Sequence, residues 1–343
     1  MIRIDAAPIA DRADIAVRLQ TAIRLEHATI PPYLAAFYTL KRDPAGARFA
    51  RQQIRSIVNQ EMMHMAQVCN ILNAIGGHPL IDDPTFLLPY PSPLPMAIAG
   101  GVEVPIKRYS RTLVADVFLA IEKPEVALEI PIRALDLVAA RIATIGQFYA
   151  DIRAAIMREG EALFAGADPA SQVQVLGAIV VHDVATAVAG IDQIVHQGEG
   201  TTQSPASGSA AGQLAHYYRF EQLVKGMKAV PDATPFGFHY DPVQLIVIDD
   251  SGDVIQMVDN PQQATLGSQD SEAALKADVC DRAYTAVLKA LHQGFNGRTA
   301  AVKEAIDLMT NTLEPAIEAV LGVTIQGGPA AGQRAGPRFA YLV

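Results

Sequence analysis

Two stretches, from about Arg12 to Leu40 and from about Ala45 to Ile75, carry apolar side chains at three- and four-residue spacing, and each sets ionisable groups into its apolar stripe. In the first, Ile15, Leu19, Ala22, Glu26, Ile30, Tyr33 and Phe37 share one helix face, so Glu26 faces the core. In the second, Ile54, Ile57, Glu61, His64, Val68, Leu72 and Ile75 do the same, and Glu61 and His64 stand one turn apart on the buried face. Gly76, Gly77 and Pro79 end that helix. Buried ionised groups are costly unless a cation, a proton or a partner side chain compensates them. The fold therefore has to bring these carboxylates to something positive.

Downstream, His78 to Pro105 holds seven prolines, which excludes regular helix and a central strand and leaves a long crossover. Short helical pieces are expected near Thr112 to Ala120. A third long helix is read from about Pro131 to Arg158 and a fourth from about Ala170 to His196, ending near Gly198. Two hairpins of long helices joined by a long crossover make a four-helix bundle of ferritin-like connectivity. Thr201 to Gly212 reads as a flexible loop and Gln213 to Met227 as a fifth helix. Gln244 to Val258 reads as a β-hairpin turning at Asp249 to Asp253, and two more helices span about Ser271 to Gln293 and Thr299 to Val320. The fold class is mostly α, with extra C-terminal helices and one small β-hairpin. The division expected is a bundle domain over 1–230 and a C-terminal extension over 231–343 packed on it.

Composition narrows the partners. The 343 residues hold 27 Lys and Arg against 36 Asp and Glu, a net charge of −9 without a basic block, so nucleic acid is not an expected partner. The most apolar stretch, Leu176 to Ile191, is broken by His182 and Asp183 before it reaches bilayer length, so no membrane partner is expected. Asp11, Arg12 and Asp14 interrupt any secretory segment at the amino end, which makes the cytoplasm the expected location. Cys69 and Cys280 are too few for a disulfide framework. A small-molecule substrate and further copies of the chain are the partner classes left.

Glu61-x-x-His64 with Glu26 on the neighbouring helix has the spacing of half a di-iron or di-manganese site in a helical bundle. Such a donor set suits Fe or Mn, one ion or two, with positions open for oxygen or substrate. The bland alternative is a buried Glu61–His64 pair with Glu26 bonded to Arg24 or Arg55. Pro31 and Pro32 deprive the carbonyls of His27 and Ala28 of their helical donors, so a kink is expected one turn past Glu26. The second half of a site is less clean. Gln147 sits in a small-residue stripe, Asp192 and Glu199 share the stripe of Val181, Ala185, Val188 and Val195, and His216 follows Gln213 by three residues.

These residues lie in an ordered series of motifs: Leu25-Glu26-His27-Ala28-Thr29-Ile30-Pro31-Pro32-Tyr33-Leu34, Gln60-Glu61-Met62-Met63-His64-Met65, Leu72-Asn73-Ala74-Ile75-Gly76-Gly77, Tyr90-Pro91 with Leu94-Pro95, Ile121-Glu122-Lys123-Pro124, Ile145-Gly146-Gln147-Phe148-Tyr149, Gln197-Gly198-Glu199-Gly200 and His216-Tyr217-Tyr218-Arg219-Phe220. The series, over roughly Ala13 to Gly226, resembles the ferritin-like domain of iminophenyl-pyruvate dimer synthases, and Gly336-Pro337-Arg338-Phe339 resembles a tail found in such proteins. The resemblance implies a metal- or haem-linked oxidative role, in that family the oxidative dimerisation of an aromatic α-keto-acid imine. It carries Glu26, Glu61, His64, Glu199 and His216 over as site residues. Gln147 and Gln213 stand where the family pattern has Glu, which favours one metal or an asymmetric pair, with Asp192 as the compensating carboxylate.

Three functions follow as expectations. One is a metal-dependent oxidoreductase whose pocket Tyr33, Tyr149 and Tyr217 would line. Another is a metal-binding protein with a degenerate site, and the last a bundle whose buried polar groups serve only to fix helix register.

Overall fold

The computed structural model describes residues 9–124, 144–200, 205–206, 213–232, 237–268 and 271–342. It is mostly helical, with two small two-stranded antiparallel sheets among the described residues. Helix α1 (Arg12–Thr39) begins at Asp11, whose carboxylate accepts the Ala13 and Asp14 amides. It runs unbroken through Pro31 and Pro32, and the carbonyl of Ala28 that Pro32 leaves without a donor accepts the Tyr90 hydroxyl at 2.7 Å. The gap expected at the prolines is thus filled from the crossover. Helix α2 (Ala45–Ala74) packs along α1 and ends where Gly76, at φ +76°, turns its amide back to Asn73.

The crossover is a packed connector. Ile81, Phe86, Tyr90, Leu94, Ile98 and Ile106 are buried in the main core, and strands β1 (Ser92–Pro93) and β2 (Glu103–Val104) pair within it. It leads into a short helical segment α3 (111–121), whose middle, Val114–Phe118, is π-helical. Helix α4 (Ile145–Glu159) starts at Thr144, which caps the Gln147 amide. The expected first half of this helix, Pro131 onward, lies outside the described residues up to 143.

The fourth bundle helix is shorter than its apolar pattern suggests. Helix α5 (Val184–Glu199) opens at a capping box between Asp183 and Thr186. The apolar run before it is held extended by side-chain amides. Asn70 exchanges hydrogen bonds with Val173 at 2.9 and 3.0 Å, Gln67 accepts the Ile179 amide at 2.6 Å, and Gln172 brackets Val181. Gly190 makes room for this, because a Cβ there would lie 2.4 Å from the Gln67 amide nitrogen.

Helix α6 (His216–Lys225) also starts later than expected, since Ala215 is extended, and Gly226 closes it in the left-handed region. The hairpin forms earlier in the chain than the sequence suggested: β3 (Met227–Pro231) pairs antiparallel with β4 (Phe238–Leu245). The run after Leu245 instead lies against other elements. The Ile246 amide bonds to Gly226, the Val247 carbonyl sits where a Cβ on Gly46 would be, and Val254 bridges to Leu40.

Helix α7 (Glu272–Phe295) and helix α8 (301–321), whose centre Met309–Leu313 is π-helical, pack together beside the α1–α2 pair. Cys280, Tyr284, Ile317 and Phe339 share one buried cluster with Ile15, Leu25 and Val68, so the C-terminal helices and the bundle have a common core. Among the described residues no helix is long and apolar enough to cross a membrane.

Candidate metal centre

Three carboxylates and two imidazoles meet inside the bundle, none more than 4% exposed: Glu26, Glu61, His64, Glu122 and His216. Glu26 comes from α1, and Glu61 and His64 come from α2 at one-turn spacing. Glu122 follows the last residue of α3, and His216 is the first residue of α6. Donor atoms of Glu26, Glu61 and His64 all lie within 4.8 Å of one another, as do those of Glu61, Glu122 and His216. Glu61 belongs to both groups.

The two groups are built alike. His64 Nδ1 is 3.3 Å from Glu26 Oε2 and 3.8 Å from Glu61 Oε2. His216 Nδ1 is 2.8 Å from Glu61 Oε1 and 3.4 Å from Glu122 Oε2. Each outer carboxylate has a tyrosine on its other oxygen, since Tyr149 donates to Glu26 Oε1 at 2.5 Å and Tyr33 to Glu122 Oε1 at 2.7 Å. Both imidazoles have a glutamine at Nε2, Gln197 Oε1 at 3.0 Å from His64 and Gln60 Oε1 at 3.1 Å from His216. The rings stack at 5.4 Å.

The tautomer of a neutral His216 is set by its neighbours. Gln60 Oε1 accepts a hydrogen bond from the buried Arg219 guanidinium, which has only donors, so the atom facing His216 is an oxygen and Nε2 must donate to it. A neutral His216 then turns its Nδ1 lone pair toward two carboxylate oxygens. That nitrogen is fully buried and makes no hydrogen bond despite its 2.8 Å approach to Glu61. Lone pairs facing one another in a dry interior need a proton or a metal ion between them. Hard carboxylate oxygens with imidazole nitrogens are the donor set of a transition-metal site, and the arrangement fits one.

Titration follows the same geometry. Burial pushes the Glu26 carboxyl above the ordinary range, against the opposing pull of His64. Burial would also raise Glu61, but the His216 and His64 imidazoles, when they carry protons, hold it well below that range. Burial lowers His64, and its bonds to Glu26 and Glu61 overcome this and lift it to about 10. Without metal, protons on His64 and Glu26 therefore take up charge that cations would otherwise balance. The tyrosines are raised by burial first and by their carboxylates second, so both stay hydroxyl donors.

Of the residues expected from sequence, Glu26, Glu61, His64 and His216 come together. Glu199 is turned elsewhere: its carboxylate accepts the Gly146 amide at 2.6 Å at the start of α4, an approach open only because Gly146 has no Cβ. Gln147 is exposed and bonds Asp151, Asp192 pairs with Arg153 at 3.0 Å, and Gln213 lies before α6 and reaches Ser56 at 3.5 Å. The glutamines at 147 and 213 thus subtract nothing from this cluster. Glu26 does not bond Arg24, which serves the Phe86 carbonyl. Tyr217 makes an edge-to-face contact with Tyr218. Sequence reasoning missed Glu122, Gln60, Gln197 and Arg219. The signal for Glu122 was an acidic residue closing the apolar run Val117 to Ile121.

A ferritin-like family model matches residues 19–225, and the chain belongs to the ferritin-like family. Among solved structures, that of a ferritin-like protein from Caulobacter vibrioides is similar at 21% identity and a TM-score of 0.63, covering 96% of this chain and all of that one. That likeness concerns the fold. None of the curated proteins matches the chain.

Proposed function

We propose that this protein holds two divalent ions, Fe or Mn, side by side with Glu61 shared between them, and acts as an oxidoreductase on a small organic substrate. The supporting observation is the paired construction around Glu61, one oxygen toward His64 and the other toward His216. Glu26 and His64 would hold one ion and Glu122 and His216 the other. Such ions supply redox equivalents and Lewis acidity to a bound substrate. The chain's own part is to fix the donors. Tyr149 and Tyr33 orient the outer carboxylates, and Arg219 through Gln60 keeps the His216 lone pair on the metal side. The resemblance to iminophenyl-pyruvate dimer synthases points to imines of aromatic α-keto acids as the substrate class.

Metal content of protein purified without chelator tests this. About two Fe or Mn per chain, lost in Glu61→Gln, is the expected result, and substoichiometric metal after anaerobic reconstitution would reject it. The burial of all five donors favours a second reading, a metal-binding bundle without turnover. Substrate-dependent oxygen consumption by the loaded protein separates the two.

A further inference from the structure

The α1–α2 pair has a second face, turned toward α7 and α8, and a cleft of about 340 Å³ lies along it. Its lining is apolar over most of its length, with Leu34, Met65, Leu288 and Leu291 among it, and arginines gather at one end. On α1 the lining runs from His27 to Tyr38, twelve residues, or about 16 Å of helix. A cleft of this length and apolar lining accommodates an extended hydrocarbon chain along the helix pair.

The charged end is built from Arg42, Arg51 and Arg55 against Glu314. Arg42 is occupied by Glu314 and Glu318. Arg51 is fixed over the Phe37 ring and donates to the Phe37 and Leu40 carbonyls, both at 2.7 Å. Arg55 is exposed and makes no hydrogen bond or ion pair among the described residues. At the far lip Leu176 is held at φ +53°, a strained position for a leucine, with its side chain 56% exposed. One wall is the π-helical turn of α8, which brings Met309, Thr310 and Leu313 to the cleft.

We propose that this cleft binds one fatty carboxylate, its chain along α1 and α2 and its head group at Arg55 and Arg51. At about 1.25 Å per carbon in an extended chain, the length takes roughly twelve carbons. The lining argues for this class: a mostly apolar cleft disfavours polar metabolites, and a positive end selects an anion over an alcohol. The site is separate from the metal cluster and does not depend on what that cluster binds.

The test is calorimetric titration of dodecanoate, below its micellar range, into the full-length protein. One saturable site is expected. Arg55→Gln, a surface change, weakens dodecanoate about tenfold and leaves dodecanol unchanged, and octanoate binds more weakly than dodecanoate. Leu291→Trp, at a half-buried lining position, abolishes binding while a melting curve reports that the protein stays folded. Non-saturable uptake, equal loss of dodecanoate and dodecanol in Arg55→Gln, or undiminished binding in a folded Leu291→Trp protein would overturn the proposal.

Discussion

The two halves of the metal cluster use the same parts on different supports. Glu26 and His64 stand in the middle of helices of 28 and 30 residues whose neighbouring turns are buried on the same stripe. Glu122 and His216 stand at helix ends, one just past a short segment with a π turn, the other at the first residue of a ten-residue helix. The second half compensates with side-chain contacts. Phe118 packs on Tyr33 at 4.6 Å and on Phe220 at 5.2 Å, and Arg219 braces Gln60, Ser56 and the Leu214 carbonyl. Regular backbone positions one set of donors, and a packed aromatic and hydrogen-bonded shell positions the other.

Removing the shared carboxylate should have the largest effect. Glu61→Gln keeps the volume and takes away the oxygen charge that both halves use, so metal falls from about two ions per chain to none. One retained ion, by elemental analysis, would mean that the halves are independent. Half-site variants come next. Glu122→Gln or His216→Ala should leave one ion on Glu26, Glu61 and His64, and Glu26→Gln should leave one on the other side. If each of these loses all metal, the cluster holds a single central ion and the paired reading fails.

Metal removal follows in size. Binding at a thousandfold excess over Kd stabilises by about 4 kcal/mol, so chelation should lower the melting temperature by roughly 6 °C. No shift between loaded and chelated protein would show that the buried polar groups are satisfied without metal. Smaller again is the effect of the outer shell. Arg219→Gln frees Gln60 to turn, removes the constraint on the His216 tautomer, and should weaken only the second ion, about 10- to 100-fold. Equal weakening of both ions would point to a general loosening of the bundle.

This difference in support also explains what could be read without a structure. The α1–α2 half was legible because a carboxylate on an apolar stripe at helical spacing has one orientation in any bundle. Glu122 sits on no such stripe, and its approach depends on the path of a proline-rich crossover. Glu199 looked like a ligand because periodicity puts it on an inward stripe, yet Gly146 leaves a helix N-terminus open beside it. The start of α5 was misjudged for a related reason. Val173 to Val181 is apolar enough for helix, but Asn70 and Gln67 on α2 capture its backbone, an interaction between residues about a hundred positions apart. The hairpin was displaced because Leu245 to Ile248 has strand composition, while its neighbours in space are Gly46 and Gly226.

The pH dependence of the metal-free protein distinguishes the halves most finely, because it reports on His64. Its folded value is raised from the ordinary 6.5 to about 10, so below 6.5 both folded and unfolded chains carry the proton and the stabilisation is complete. Above 6.5 the unfolded chain releases its proton first, the folded chain binds more protons, and stability declines until the pH passes about 10. Glu26, also raised, contributes in the same direction from a lower starting pH, whereas Glu61 is depressed and loses its contribution only in acid. Chelated protein should therefore melt several degrees lower at pH 9 than at pH 7. Metal-loaded protein should show a shallower slope, since a cation has replaced the proton. In His64→Gln the slope of the chelated protein should flatten while His216→Gln leaves most of it. A slope that persists in His64→Gln would place the proton elsewhere and remove the distinction between the two halves at the level of charge.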